Sequence, residues 1–185
     1  MKKVVLGLFV AAFVLSGVVS AQAQVFKLSL WDTICVPNGD YTGGLELGIG
    51  SQTKAVDGVQ LGIIYSQADK LQGVQLGIVN NTDDGLGLQW GFVNLAQDMK
   101  GIQWGGVNWV KSELTGAQLG FVNYAESFTG LQWGFVNWAN QAKGLQLGFI
   151  NYTETMKGVQ IGLVNIIKNN PSFLPVFVIF NFCFD

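Results

Sequence analysis

Side chains able to carry out chemistry are scarce in this chain, and their pattern excludes more than it suggests. There is no His and no Arg among the 185 residues. Without imidazole, general acid–base work and a Ser-His or Cys-His nucleophile pair lack their central partner. A zinc-type site lacks imidazole and clustered thiols alike. Asp83-Asp84 could hold a cation, but adjacent acids in a turn are ordinarily solvated turn residues. Asn-x-Thr occurs at Asn80 and Asn151, where both Asn read as strand-end residues. Glycine is abundant, yet its spacing follows a repeat rather than a phosphate loop. These residues point to no enzyme, no cofactor and no metal. The net charge of −2 offers no basic footprint for nucleic acid.

The polar residues that do recur are amides at fixed spacing. Gln60, Gln75, Gln89, Gln103, Gln118, Gln132, Gln146 and Gln160 each stand third in a unit G-x-Q-x-G-x-x-N, as in Gly130-Leu131-Gln132-Trp133-Gly134-Phe135-Val136-Asn137. Units start at Gly44, Gly58, Gly73, Gly87, Gly101, Gly116, Gly130, Gly144 and Gly158. The steps are 14 residues, or 15 after Gly58 and Gly101. The first unit carries Glu46 in place of Gln. An internal repeat of this kind sets the architecture before any site can be discussed.

Counting from the first Gly, position 2 is Leu, Val, Ile or Ala, position 4 is Leu, Ile or Trp, and position 6 is usually Phe, Ile or Leu. Position 5 is always Gly. This period-2 alternation predicts a strand. Most junctions end apolar-polar-Gly, as Phe128-Thr129-Gly130, which suits a three-residue hairpin loop with Gly in the left-handed region. In that register odd positions face odd ones and even face even, so Trp109 lies against Gly120 and Ala125 against Trp133. The even face (Leu, Trp, Phe, Asn, Ala) is expected outward and the odd face (Gln, Gly, Val, aromatic) inward. The 15-residue steps call for bulges near Ser66-Gln67 and Lys111-Ser112.

From Gly44 to Lys168, every charge except Glu46 falls at positions 11–14 or in the inserted residues. A strand of about 10 residues with no charge at its centre matches a membrane-spanning β-strand. The fold expected first is therefore all-β, an antiparallel up-and-down β-barrel of about 10–12 strands, one per repeat. Trp90 and Trp104 would then lie near opposite rims, as aromatic girdles require. The alternative is a parallel β-solenoid with one coil per repeat.

The chain divides into a signal peptide over 1–23 and one β domain over 24–185. Lys2-Lys3, the apolar run Val4–Val19 and Ala21-Gln22-Ala23 carry the export signal. Losing Lys2 and Lys3 takes the net charge from −2 to −4. Within the domain, 24–43 supplies an N-terminal strand and lead-in, 44–171 the nine repeats, and 172–185 a C-terminal strand. Phe180, Phe182 and Phe184 of that last strand share a face, and Pro175 weakens its start. Cys35 and Cys183, at opposite ends of the exported chain, form a candidate disulfide that barrel closure would allow; two buried thiols are the other possibility.

The repeated units resemble a family of bacterial surface-repeat proteins of unknown function. The similarity covers Leu28 to the end, with the tail Leu-Pro-x-Phe-x-x-Phe-Asn-Phe at Leu174–Phe182. The resemblance implies an envelope or cell-surface location and carries no known ligand or catalytic residue. Two functions are therefore expected. One is a small outer-membrane channel in contact with lipid, weakly selective, with the eight Gln facing its lumen. The other is a non-transporting structural or interaction protein.

Overall fold

The computed structural model describes residues 25–31 and 34–184, so the signal segment expected over 1–23 lies outside the described residues. The strands are β1 (Phe26–Trp31), β2 (Ile34–Val36), β3 (Tyr41–Thr42), β4 (Leu45–Leu147), β5 (Ile150–Ile167) and β6 (Val176–Cys183). A single extended path of 103 residues in β4 cannot be one straight strand. It winds, and each turn of the winding is one repeat.

The pairing decides between the two expected folds. β4 and β5 run parallel, with Val136 opposite Ile150, Gly144 opposite Gly158 and Leu147 opposite Ile161. Each partner is therefore 14 residues away, in the same place of the next repeat. β1 joins the stack in parallel ahead of the first coil, with Phe26 opposite Leu45 and Leu28 opposite Leu47. Antiparallel pairing occurs, among the described residues, only at the ends: β1 with β2, and β5 with β6. The chain is a parallel β-solenoid, and the antiparallel barrel is overturned. An up-and-down barrel would require every neighbouring pair of repeats to run antiparallel. The expected rims disappear with it: Trp90 and Trp104 are neighbours on one face, their rings stacked with centroids 5.6 Å apart. Trp109 stacks on Tyr124 at 4.1 Å, rather than covering Gly120 across a hairpin.

The burial pattern explains how one repeat closes a coil. Inward side chains occupy positions 8, 10 and 13, as Asn94, Ala96 and Met99, together with the Gln at position 3. Position 5 also points inward: a Cβ on Gly91 would meet the Asn80 amide nitrogen at 2.5 Å. Inward spacing is thus two residues along each flat stretch (3 to 5, 8 to 10), three at two bends (5 to 8, 10 to 13) and four across the opening Gly, as from Met99 to Gln103. The assigned strand breaks at residues 148–149, at such a bend. The expectation that even positions face outward holds through position 6 and reverses beyond the bend, where Asn and Ala turn in.

The Gly that opens each repeat after the first does take positive φ, as expected, but at 134–150°. That is far from the left-handed helical value near 57° that the hairpin loop needs. It forms a solenoid corner where the coils touch backbone to backbone. A Cβ on Gly130 would lie 2.0 Å from the Gly116 carbonyl oxygen.

The 15-residue coils keep the same interior. In the coil from Gly58 the buried residues Ser66, Ala68 and Leu71 come one place late, so the extra residue lies among 63–65, just before the expected bulge. In the coil from Gly101, Asn108 and Val110 hold their places and Leu114 comes late. The extra residue there lies at 111–113, around the expected site.

The ends differ from simple strands. The expected N-terminal strand folds back as β1 and β2, with Ser29 opposite Cys35. β6 caps the last coil antiparallel, with Gln160 opposite Asn181 and Ile161 opposite Phe180. Asn170 holds the cap from outside, donating to the Leu174 and Phe182 carbonyls, each at 3.1 Å.

Candidate functional site

The eight glutamines are fully buried in the solenoid axis. Each Nε2 donates to the Oε1 of the Gln one coil earlier, at 2.7–2.9 Å, from Gln160 back to Gln60. Most of these Nε2 groups also reach a backbone carbonyl six residues on, as Gln89 to Leu95 at 3.1 Å. They were expected to line a lumen. Here they are hydrogen-bonded to one another in a filled interior, and among the described residues no channel runs along the axis.

A second ladder went unrecognised in the sequence because position 8 was assigned outward. Asn80, Asn94, Asn108, Asn123, Asn137, Asn151 and Asn165 are buried, and each Nδ2 donates to the next Oδ1 at 2.8 Å. The Asn row donates toward the C-terminus and the Gln row toward the N-terminus. The amide dipoles of the two rows therefore oppose each other. The oxygen that starts each row, Asn80 Oδ1 and Gln160 Oε1, has no hydrogen-bond partner.

The Gln row ends on Glu46, which explains the one departure from Gln at position 3. The last amide, Gln60 Nε2, needs an acceptor, and a carboxylate only accepts. It lies 3.4 Å from Glu46 Oε2, closer to the Gln67 carbonyl at 3.0 Å. Ser29, Thr42, Ser51 and Thr53 donate hydroxyls to the same carboxylate. Lys27 Nζ donates to Thr53 Oγ1 at 2.5 Å and lies 3.5 Å from Glu46, with both charges buried. This cluster is a satisfied plug with no free donor or acceptor directed at a ligand.

Cys35 and Cys183 are not joined. Cys35 belongs to β2 at the N-terminal end, and Cys183 pairs with Gly158 of the last coil. Eight coil spacings from Gly44 to Gly158, at about 4.8 Å each, separate those ends by roughly 38 Å. A disulfide needs Cα atoms within about 7 Å.

The outer surface is divided around the axis. Positions 11, 12 and 14 carry the charges and are mostly exposed. Some link successive coils: Lys54 to Asp40 at 2.7 Å, Lys168 to Glu154 at 2.9 Å, and Asn140 to Glu126 at 2.7 Å. The hydrogen bond to Asp40 and then its charge raise the Lys54 pKa above the ordinary lysine value, and Glu154 does the same for Lys168. Raised values mean that these ties are complete below the unfolded lysine pKa and are lost as pH rises through the folded one, well above neutrality. Among the described residues, no cluster of three or more His, Cys, Asp or Glu could hold a metal.

The opposite side is apolar. Positions 2, 4 and 6 point outward from Leu45 to Leu163 and carry no charged or polar side chain, apart from the indole N–H of Trp90, Trp104 and Trp133. Ile63 is 61% exposed, Phe92 67%, Phe121 62% and Trp133 60%. Phe121, Phe135 and Phe149 form a stacked row, with centroids 4.9 and 4.6 Å apart. Between the rows at positions 4 and 6 runs a shallow open depression of about 540 Å³, bordered by Leu61, Ile63, Leu76, Ile78, Trp90 and Phe92. This face leaves large apolar side chains exposed along the whole stack. Comparisons with protein-family models, with characterised proteins and with solved structures find no match.

Proposed function

We propose that this chain is a non-transporting β-solenoid of the bacterial surface-repeat kind, with a structural or interaction role at the cell envelope. Its contact surface is the apolar face of positions 2, 4 and 6. The observation that carries this reading is the conjunction of a filled, amide-laddered axis with an aromatic outer face. The axis is packed with hydrogen-bonded amides, and the fold leaves the face exposed. Large exposed apolar patches mark interaction sites, because leaving them in water is unfavourable. The absence of His and Arg, with no charged side chain on the face itself, favours binding over catalysis. The envelope location rests on the export signal and on the family resemblance.

The test is to express the full chain in a bacterial host and compare it with Phe121→Lys/Phe135→Lys on the apolar face and Gln97→Lys/Gln141→Lys on the polar face. Envelope and soluble fractions are separated and the association state is measured without detergent. The expected result is that only the apolar-face variant moves toward soluble monomer. Identical behaviour of all three would refute the reading.

A further inference from the structure

The apolar face does not stop at the ends of the repeats. In β1, Phe26 and Leu28 lie opposite Leu45 and Leu47, prolonging rows 2 and 4 by one rung at the N-terminal end. In β6, Phe182 lies opposite Val159 and Phe180 opposite Ile161, prolonging the same rows at the C-terminal end. Phe173 stacks against Phe182 at 5.2 Å and Phe182 against Phe184 at 5.8 Å, broadening that last rung. Capping elements of a freely soluble solenoid ordinarily present polar surface. Here both caps continue the stripe.

The stripe spans ten strand spacings and five residues of width, which is about 48 Å by about 16 Å, or roughly 770 Å² in projection. The largest patch on an ordinary monomer is about 300–600 Å². A protein interface carries about one hydrogen bond per 100–200 Å². Over this area that means several polar groups of both kinds, whereas the stripe offers three indole donors and no side-chain acceptor. Its rows also repeat at every coil, so sliding a rigid partner by one rung gives nearly the same packing. Such a surface defines no register for a folded partner. A fluid apolar phase needs none.

The borders fit the same occupant. Lys100, Lys143 and Lys157 are exposed, each just before the corner Gly that opens onto row 2, and Asp57 is the one acid in that row. Lysines at this border would meet lipid phosphates if the stripe entered the acyl boundary. On the other border, position 9 presents Trp109, Tyr124, Trp138 and Tyr152, with Trp109 and Trp138 exposed. Aromatic side chains with one polar end concentrate at membrane–water interfaces.

Resting on the reading of this face as the contact surface, we propose that its partner is a lipid bilayer. The solenoid lies along the membrane with its axis parallel to the surface, rows 2, 4 and 6 in the acyl boundary and positions 11–14 in water. It coats the membrane without spanning it.

The experiment uses the exported chain, residues 24–185, mixed with vesicles of phosphatidylethanolamine and phosphatidylglycerol at 3:1 and floated through a density gradient. The expected results are co-flotation of the wild type, a blue shift of tryptophan emission, and quenching by lipids brominated near the headgroup. Phe121→Lys/Phe135→Lys should lower vesicle partitioning at least tenfold, and Gln97→Lys/Gln141→Lys should leave it unchanged. If circular dichroism shows the first variant unfolded, Phe121→Ser/Phe135→Ser is read in its place. Flotation unaffected by substitutions on the face overturns the proposal. Absence of flotation with a discrete dimer that the face substitutions dissociate also overturns it, and assigns the face to a second copy, leaving the broader reading standing. Absence of flotation from a monomer indifferent to those substitutions overturns both.

Discussion

Replacing Gln103 by Leu separates a packed amide ladder from a water-lined row. Gln103 donates to Gln89 Oε1 at 2.7 Å and accepts from Gln118 Nε2 at 2.9 Å. Leu removes both bonds at similar volume. Gln118 Nε2 retains the Tyr124 carbonyl at 2.9 Å, whereas Gln89 Oε1 is left buried with no donor. Two net hydrogen bonds contribute about 1 kcal/mol each, and an orphaned buried acceptor costs about 1–3 kcal/mol more. Burial of the leucine side chain offsets about 1–2 kcal/mol of that sum. The expected loss is therefore about 1–4 kcal/mol. Urea unfolding followed by circular dichroism measures it, with Gln97→Leu on the exposed polar face as a control that stays within about 0.5 kcal/mol. Two comparisons sharpen the test. Gln160→Leu should cost less, because that Oε1 has no partner to lose. Gln103→Leu/Gln118→Leu should cost less than the sum of its parts, since the bond between them is removed from both sides. Repeat arrays can unfold in stages, so the slopes must match before the free energies are compared. A Gln103→Leu protein as stable as the Gln97→Leu control would refute the ladder, because a hydrated Gln row tolerates that change.

Three other predictions follow from the corners and the ends. Gly130→Ala places a Cβ 2.0 Å from the Gly116 carbonyl oxygen at a φ of 134°, and should cost about 2–4 kcal/mol by thermal unfolding. Gly106→Ala falls at a negative φ and meets first the Phe92 ring edge and carbonyl oxygen, both at 3.1 Å, so it should cost about 1 kcal/mol, less than Gly130→Ala. Lys27→Met leaves the Glu46 carboxylate buried without its counter-ion and should destabilise by about 3–5 kcal/mol. The double substitution Lys27→Met/Glu46→Gln, which restores the repeat's own amide, should recover most of that loss in the same melt. Purified protein unfolded without reductant should label at both Cys35 and Cys183, and mass spectrometry should find no peptide joining them. An intramolecular bond between the two would contradict a stack about 38 Å long.

Much of the coil was legible from local pattern. Alternation through positions 2–6 places Gln132 on one side of its strand and Leu131, Trp133 and Phe135 on the other, whatever that strand pairs with. The recurring apolar-polar-Gly junction marks a corner that only Gly can turn, and each such Gly after the first does have positive φ. The segregation of charge to positions 11–14 is equally real, with a different cause. It divides the surface around an axis, rather than between a membrane centre and its rims. The Asn ladder was missed because alternation was carried past position 6. The signal that could have revealed it is the three-residue gap from Gly at position 5 to Asn at position 8, where two inward residues cannot lie on one flat strand.

The chain alone determined that it is built of β-strands, that one unit repeats, and which residue turns each corner. Those properties follow from steric and solvation preferences acting over a few residues. It did not determine which strand lies beside which. A hairpin register and a coil register satisfy the same alternation, and they differ only in whether a repeat meets its neighbour reversed or in parallel. Tertiary structure decided this by stacking like on like. In the parallel register every Gln meets a Gln and every Asn an Asn, so a buried amide finds both donor and acceptor one coil away. That choice fills the axis and aligns the outward Leu, Trp and Phe in continuous rows. It turns an expected pore into a solid rod with one apolar side.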